Sequence, residues 1–245
     1  MGVQVEVCVT SVEEAMVAAT LGVDSIEVCS WLACGGLTPS SGLVDAIRNA
    51  VRIPVRVLIR PTPTGFVYTD PDVAVLLTDA EVFGGGALSL VAGALDEKGG
   101  LHVPIMSAVK RLAPESEITF HRAIDHASDP IQVVDDCIAL ELDRILTSGG
   151  AARAVDGIPM IAQMVQRAKE TCVIAVAGGV NADNVLEIVE RTGTHEVHFA
   201  AQRTTERVGD GPALSSAGPN SWYGTVPDEA KIEAVLNALT KAGLR

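Results

Sequence analysis

The chain is poor in positive charge: 18 lysines and arginines stand against 31 aspartates and glutamates, a formal net charge of −13. That balance disfavours nucleic acid and anionic membrane surfaces as general partners, so any anionic ligand needs a local cationic pocket. No window of about eighteen uninterrupted apolar residues exists, which excludes a membrane-spanning helix. The opening MGVQVEVCVT has no cationic segment followed by an apolar run and no Ser or Thr at position 6, so neither a secretory leader nor myristoylation of Gly2 is expected. The five cysteines, Cys8, Cys29, Cys34, Cys137 and Cys172, are odd in number and form no CxxC pair. They fit a reducing, cytoplasmic setting better than a disulfide framework. A low-complexity linker is also missing before about residue 205, which argues for a single domain over residues 1–245.

What is present is a repeating alternation. Short β-branched runs at 3–9, 24–29, 54–60, 86–92, 116–121, 143–148, 172–177 and 195–199 are each followed by an amphipathic stretch. Helix starts are signalled by Thr10/Ser11, Thr38-Pro39, Asp129-Pro130 and Asn181, and the last helix is expected over 228–242. Eight strands alternating with eight helices predict an α/β protein, a (β/α)8 TIM barrel. A doubly wound open sheet is the alternative, but the even spacing and the lack of an early glycine-rich turn favour closure. Residues 203–226, rich in Gly, Ser and Pro, read as a long loop after the eighth strand.

Two-residue periodicity sorts the side chains of each strand between helix side and lumen. Val5, Val7 and Val9 take the helix side, which leaves Gln4, Glu6, Cys8 and Thr10 inward. The same rule sends Glu27, Cys29, Arg56, Leu58, Arg60, Thr119, His121, Glu196 and His198 into the lumen. So polar a lumen requires interleaved ion pairs. Glu6, Arg56 and Glu196, near the beginnings of their strands, read as that structural network. The C-terminal strand ends are where barrel chemistry sits, and there Glu27, Arg60, His121 and His198, with Arg122 and Asp125 in TFHRAID, are candidate acid/base and anion-holding groups. His126 reads as surface, and Cys137 as a small core residue.

The turns TSGG and AGGV place Ser148, Gly149, Gly178 and Gly179 where backbone N–H groups can approach a ligand, the second turn leading to a helix start at Asn181. A small anionic ligand follows as an expectation. His195 and His198 make an H-x-x-H spacing, but on a strand they point to opposite faces, so a paired metal site there is rejected. Soft thiolates suit Cu(I), which makes Cys8, Cys29 and Cys34 metal candidates. Alternating lumen layers are expected to offset Cys8 and Cys29 in height, and C-x4-C is no recognised chelating signature.

Taken in order, EVC, IEVC with GGLTPS at 35–40, IRP at 59–61, GFVYTD at 65–70, TFHRAID at 119–125, LTSGG at 146–150, AGGV, and EVH at 196–198 resemble the copper homeostasis protein CutC family. The resemblance implies a TIM barrel, a cytoplasmic location, a homo-oligomer, and a role in copper tolerance with copper bound through cysteines. By position it marks Cys8, Glu27, Cys29, Arg60, His121, Arg122, Asp125 and His198. The chain departs from the pattern at Val67, where relatives often carry cysteine, and in the loop after strand 8. Two functions remain open at this point. One is a Cu(I)-binding homeostasis protein. The other is a barrel enzyme, of isomerase, lyase or hydrolase type, acting by proton transfer on a small anionic or sugar-like substrate.

Overall fold

The eight apolar runs become eight strands. β1 (Gln4–Val9), β2 (Ser25–Val28), β3 (Val55–Ile59), β4 (Ser89–Ala92), β5 (Ile118–Phe120), β6 (Arg144–Thr147), β7 (Val173–Val176) and β8 (Glu196–Ala200) lie within the runs that predict them, except that β8 extends one residue past its run. In a computed structural model that describes residues 2–85, 88–204 and 225–245, they pair in sequence order and close, β8 lying parallel to β1 with Gln4 opposite Glu196 and Glu6 opposite His198. Every neighbouring pair is parallel, so each return crosses the outside as a helix. The eight helices are α1 (Val12–Leu21), α2 (Ser41–Ala50), α3 (Asp70–Gly84), α4 (Val103–Leu112), α5 (Pro130–Ala139), α6 (Ile158–Ala168), α7 (Val185–Thr192) and α8 (Glu229–Lys241). Among the described residues no helix is long and apolar enough to cross a membrane.

Local chemistry sets the helix starts. Ser11 caps α1 by accepting from the Glu14 N–H, and Asp129 with Pro130 opens α5 as their residue types dictate. Two starts fall later than expected. α2 is capped by Ser40 rather than opened at Thr38-Pro39, because the Thr38 hydroxyl is engaged by the backbone N–H of Arg60. α7 is preceded by Asn184, because the Asn181 side chain instead accepts from the Asp183 N–H in a local turn. The expected loop 203–226 has paired ends: Gln202–Thr204 (β9) runs antiparallel to Thr225–Pro227 (β10). The rest of that loop, and residues 86 and 87 of the fourth run, lie outside the described residues.

The alternation places the valines and isoleucines of the strands against the helices, in one continuous core from Val3 to Leu239. The lumen is two-tiered. Its lower tier is ionic: Glu6, 3% exposed, accepts from Arg56 Nη1 (2.6 Å) and Ser25 Oγ (3.0 Å) on one oxygen, and from Arg144 Nη2 (2.8 Å) on the other, which also meets His198 Nδ1 (2.9 Å). Arg144 Nε reaches Glu196 (2.7 Å), and Arg56 Nη2 reaches Glu117 (2.8 Å). Burial opposes ionisation of Glu6, but the charge of Arg144, the His198 hydrogen bond and the charge of Arg56 outweigh it and hold the carboxyl well below 4.5. The upper tier is a small apolar cluster of Cys8, Cys29, Leu58 and Val91.

Glu6→Gln leaves two inward guanidinium groups short of their shared anion and is expected to cost about 3 kcal/mol or more. A lower urea midpoint at unchanged slope checks it. Because the folded value of Glu6 is depressed, its contribution is complete above pH 4.5 and lost on acidification below it, so the variant's stability should depend less on pH in that range than the wild type's.

Candidate functional site

At the C-terminal mouth a cavity of about 280 Å³ is lined by Cys8, Glu27, Leu58, Arg60, Phe66, His121, Arg122, Gly178, Gly179, His198 and Lys231, among others. Of the residues singled out from sequence, Cys29, Cys34, Asp125, Ser148 and Gly149 stand outside this lining.

The wall from β1 and β2 is built by register. Cys8 lies opposite Glu27 in the ladder, with Cys8 Sγ 3.8 Å from Glu27 Oε1. The expected height offset between Cys8 and Cys29 does not separate them: their sulfurs are 3.2 Å apart. Strand side chains lean along the strand direction, and here that lean closes the step. The hydrogen bond with Cys29, followed by burial, drives the Cys8 thiol well above its usual value. Donor atoms of Cys8, Glu27 and His198 all lie within 4.8 Å of one another, a grouping able to hold a metal ion. Burial raises Glu27 above 4.5 against the opposing charge of His198, and its Oε2 is buried without a hydrogen-bond partner among the described residues.

Arg60 does not pair with Glu27. Its Nη1 donates to the carbonyls of Cys34 and Gly36 (2.9 Å each) and its Nη2 to Pro63 (3.2 Å), while its guanidinium lies 5.1 Å from the centre of the Phe66 ring. It therefore ties together the loops after β2 and β3 and brings a positive charge to the mouth. Cys34 belongs to one of those loops, its thiol donating to the Trp31 carbonyl at 3.1 Å, and it is not part of the Cys8–Glu27–His198 grouping.

His121 follows β5. Its Nδ1 accepts the Ala123 N–H at 3.2 Å, which assigns the proton to Nε2, and that nitrogen is buried with no partner among the described residues. Burial first, and then the charge of Arg60, lowers its pKa to about 3, so at neutral pH the ring is an uncharged donor. Gly93 makes room for the ring: a Cβ there would stand 2.4 Å from His121 Nδ1. The Phe66 ring packs against that of His121, their centroids 5.0 Å apart.

Asp125 has a different task from its neighbour His121. It accepts from Arg122 Nε (2.8 Å), Thr147 Oγ1 (2.6 Å), Ser148 N (2.9 Å) and Gly150 N (3.0 Å), which saturates it as a brace between the loops after β5 and β6. Ser148 accepts from Arg122 Nη2 (2.7 Å) in the same brace. Gly149, at φ 72°, packs so closely on the Gly157 carbonyl that a Cβ would sit 2.4 Å from it. Gly178, at φ 105°, and Gly179 do face the cavity. Sequence reasoning missed Phe66, Gly93, Lys231 and the network's Arg144. Only Arg144 had a signal, since Ile145 facing the helices puts its neighbour in the lumen.

The profile of the CutC family matches residues 3–203. The chain belongs to the CutC family. A CutC family protein of Glaesserella parasuis is 36% identical over 240 residues, covering 97% of this chain and 99% of that one. A human protein named copper homeostasis protein cutC homolog is 37% identical over 208 residues, covering 84% of this chain and 76% of the human one. A crystal structure described as a CutC copper homeostasis protein from Streptococcus agalactiae superposes with a TM-score of 0.74 at 27% identity, over 80% of this chain and 98% of that one. The CutC motifs IEVC, IRP, TFHRAID, LTSGG and AGGV fall at or just past the C-terminal ends of β2, β3, β5, β6 and β7, and each contributes to the cavity lining.

The His121 ring resists protonation in the fold, whereas the unfolded chain takes up that proton from pH 6.5 downward. The His121 contribution to urea stability should therefore fall between pH 6.5 and 4.5, above the range in which Glu6 acts, at up to about 1.4 kcal/mol per pH unit, while the raised carboxyl of Glu27 contributes in the opposite sense in the lower part of that range. His121→Gln should flatten that slope; an unchanged slope would show that the ring titrates normally.

Proposed function

We propose that this chain serves copper homeostasis by binding Cu(I) at the mouth of its barrel, with Cys8 and Cys29 as the thiolate ligands. The observation that carries the reading is the sulfur pair, 3.2 Å apart in the upper tier of the lumen. Soft sulfur donors select Cu(I), and the surrounding Leu58 and Val91 keep water away from them. A carboxylate oxygen of Glu27 and a ring nitrogen of His198 stand beside Cys8 and complete a mixed donor set. The human relative's name, copper homeostasis protein cutC homolog, supports the role in copper homeostasis. A reducing, cytoplasmic site of action would keep the free thiols available to the metal.

The thiol of Cys8 is protonated in the metal-free protein, since its hydrogen bond to Cys29 and its burial both oppose the thiolate. Loading Cu(I) must therefore release a proton to solvent, and affinity should weaken by about tenfold per pH unit of acidification for each proton released. Cys34, on the outer loop, takes no part in this site.

The test is an anaerobic Cu(I) titration against a competing chelator. Cys8→Ala and Cys29→Ala should each reduce affinity by at least about tenfold, as expected for loss of one of the two thiolate ligands, and Cys34→Ala should leave it unchanged. If the Cys8→Ala/Cys29→Ala double variant holds copper as tightly as the wild type, the assignment is wrong.

A further inference from the structure

A second wall of the same cavity has a composition that a copper site does not require. Arg60, Arg122 and Lys231 bring three cations to the lining, against the single carboxylate of Glu27, in a chain whose overall charge is −13. Arg122 is balanced by Asp125, but Arg60 and Lys231 form no ion pair among the described residues. Lys231 comes from α8 and its Nζ is held at the mouth by the Ala200 carbonyl at 2.6 Å, 5.6 Å from the centre of the Phe199 ring. Protein folds rarely hold uncompensated cations around an enclosed space without an anion to meet them.

Two further observations point to an organic ligand rather than a bare ion. The backbone N–H groups of Gly178 and Gly179, which line the cavity beside these cations, donate to no acceptor among the described residues. Deeper in, His121 Nε2 and Glu27 Oε2 are both unpartnered among the described residues, on side chains each only 4% exposed. Buried polar atoms are nearly always paired, and each unpaired one costs about 1–3 kcal/mol. A donor and a carboxyl oxygen left open at one end match a hydroxyl or carbonyl oxygen, which can accept from the first and donate to or accept from the second. The lining also holds apolar side chains, Phe66, Leu146 and Val180 among them, suited to a short carbon skeleton.

We propose that this cavity binds a small hydroxylated organic anion. Its phosphate or carboxylate head lies against Lys231, Arg122 and the Gly178–Gly179 amides, and its hydroxyl or carbonyl oxygen lies between His121 and Glu27. The ligand is small, because 280 Å³ is at the lower limit of the roughly 300–1,000 Å³ of ordinary ligand pockets. This site shares Cys8, Glu27 and His198 with the copper site, but its cationic wall of Arg60, Arg122 and Lys231 takes no part in copper binding.

Calorimetric titration of the full chain at constant ionic strength, with glycerol 3-phosphate, glycerate and glycerol as probes, tests the inference. One of the two anions should bind at one equivalent and glycerol, which lacks the charged head, should bind at least about tenfold more weakly. Which anion binds identifies the head group. Lys231→Met keeps the stem on Phe199 and removes the charge. It should weaken the anion by about tenfold or more, and His121→Leu should weaken both the anion and any residual glycerol binding. Lys231→Met should hold Cu(I) as tightly as the wild type does, so a failure of the copper assignment and a failure of this one are read separately. Equal binding of glycerol and both anions, or unchanged affinity in Lys231→Met, overturns it. Since Lys231 is half-buried at the rim, that variant remains informative even if His121→Leu does not fold.

Discussion

The carboxylate of Glu6 is the constraint around which the barrel is arranged. It sits on the first strand, 3% exposed, and binds side chains from β2, β3, β6 and β8 at once. An isolated charge in that position is untenable, and two arginines without it would be equally so. Closing the barrel is what brings Arg144 from β6 and His198 from β8 to an acid on β1, so ring closure and neutralisation are one event. A purely apolar filling of the lumen would satisfy packing. The ionic filling also specifies register, because a shift of one residue on any of these strands turns its inward polar side chain into the helix layer.

That lower tier governs the mouth above it. His198 is shared: its Nδ1 meets Glu6 below, and a ring nitrogen belongs to the grouping with Cys8 and Glu27 above. Glu6 is thereby held ionised by its cations, while Glu27, one step higher and in contact with a thiol, is pushed toward its neutral form by burial. Two glutamates in the same Glu-Val-Cys setting thus behave oppositely, for the reason that separates buried carboxylates generally: what matters is whether compensating cations lie within reach. The mouth has open valences at Glu27 Oε2 and His121 Nε2, above a tier in which Glu6, Arg56, Arg144 and His198 all have partners.

The loops divide the labour. Asp125 and Arg60 are charged residues at strand ends, yet most of their hydrogen bonds go to loop backbone and to neighbouring side chains that hold loops in place. They form a frame in which Phe66, Gly93 and the glycines after β7 set the cavity's shape. Such framing groups are as dependent on exact backbone position as the groups that face the cavity, since each hydrogen bond to a carbonyl fails once its donor moves by about an ångström.

Period-two alternation and helix-start chemistry were enough to read eight strands, eight helices, closure, and the inward set from Glu6 to His198. Those signals are local: burial of one strand face is written in every second residue. By the same logic Arg144 was legible beside Ile145. The sequence could not say which inward groups would pair and which would stay open, because Glu6 meets Arg144 across 138 positions and His198 across 192. Nor could it show that Cys8 and Cys29 touch, that Arg60 turns to carbonyls instead of Glu27, or that Asp125 faces a brace instead of the cavity. A loop side chain has no period to fix its direction, and Lys231, on a helix outside the barrel, enters the lining only because α8 returns to close the ring. The amino-acid order determined the barrel and the polarity of its lumen; the tertiary structure alone decided the partners, since a charge is satisfied or left open by distance and not by position in the chain.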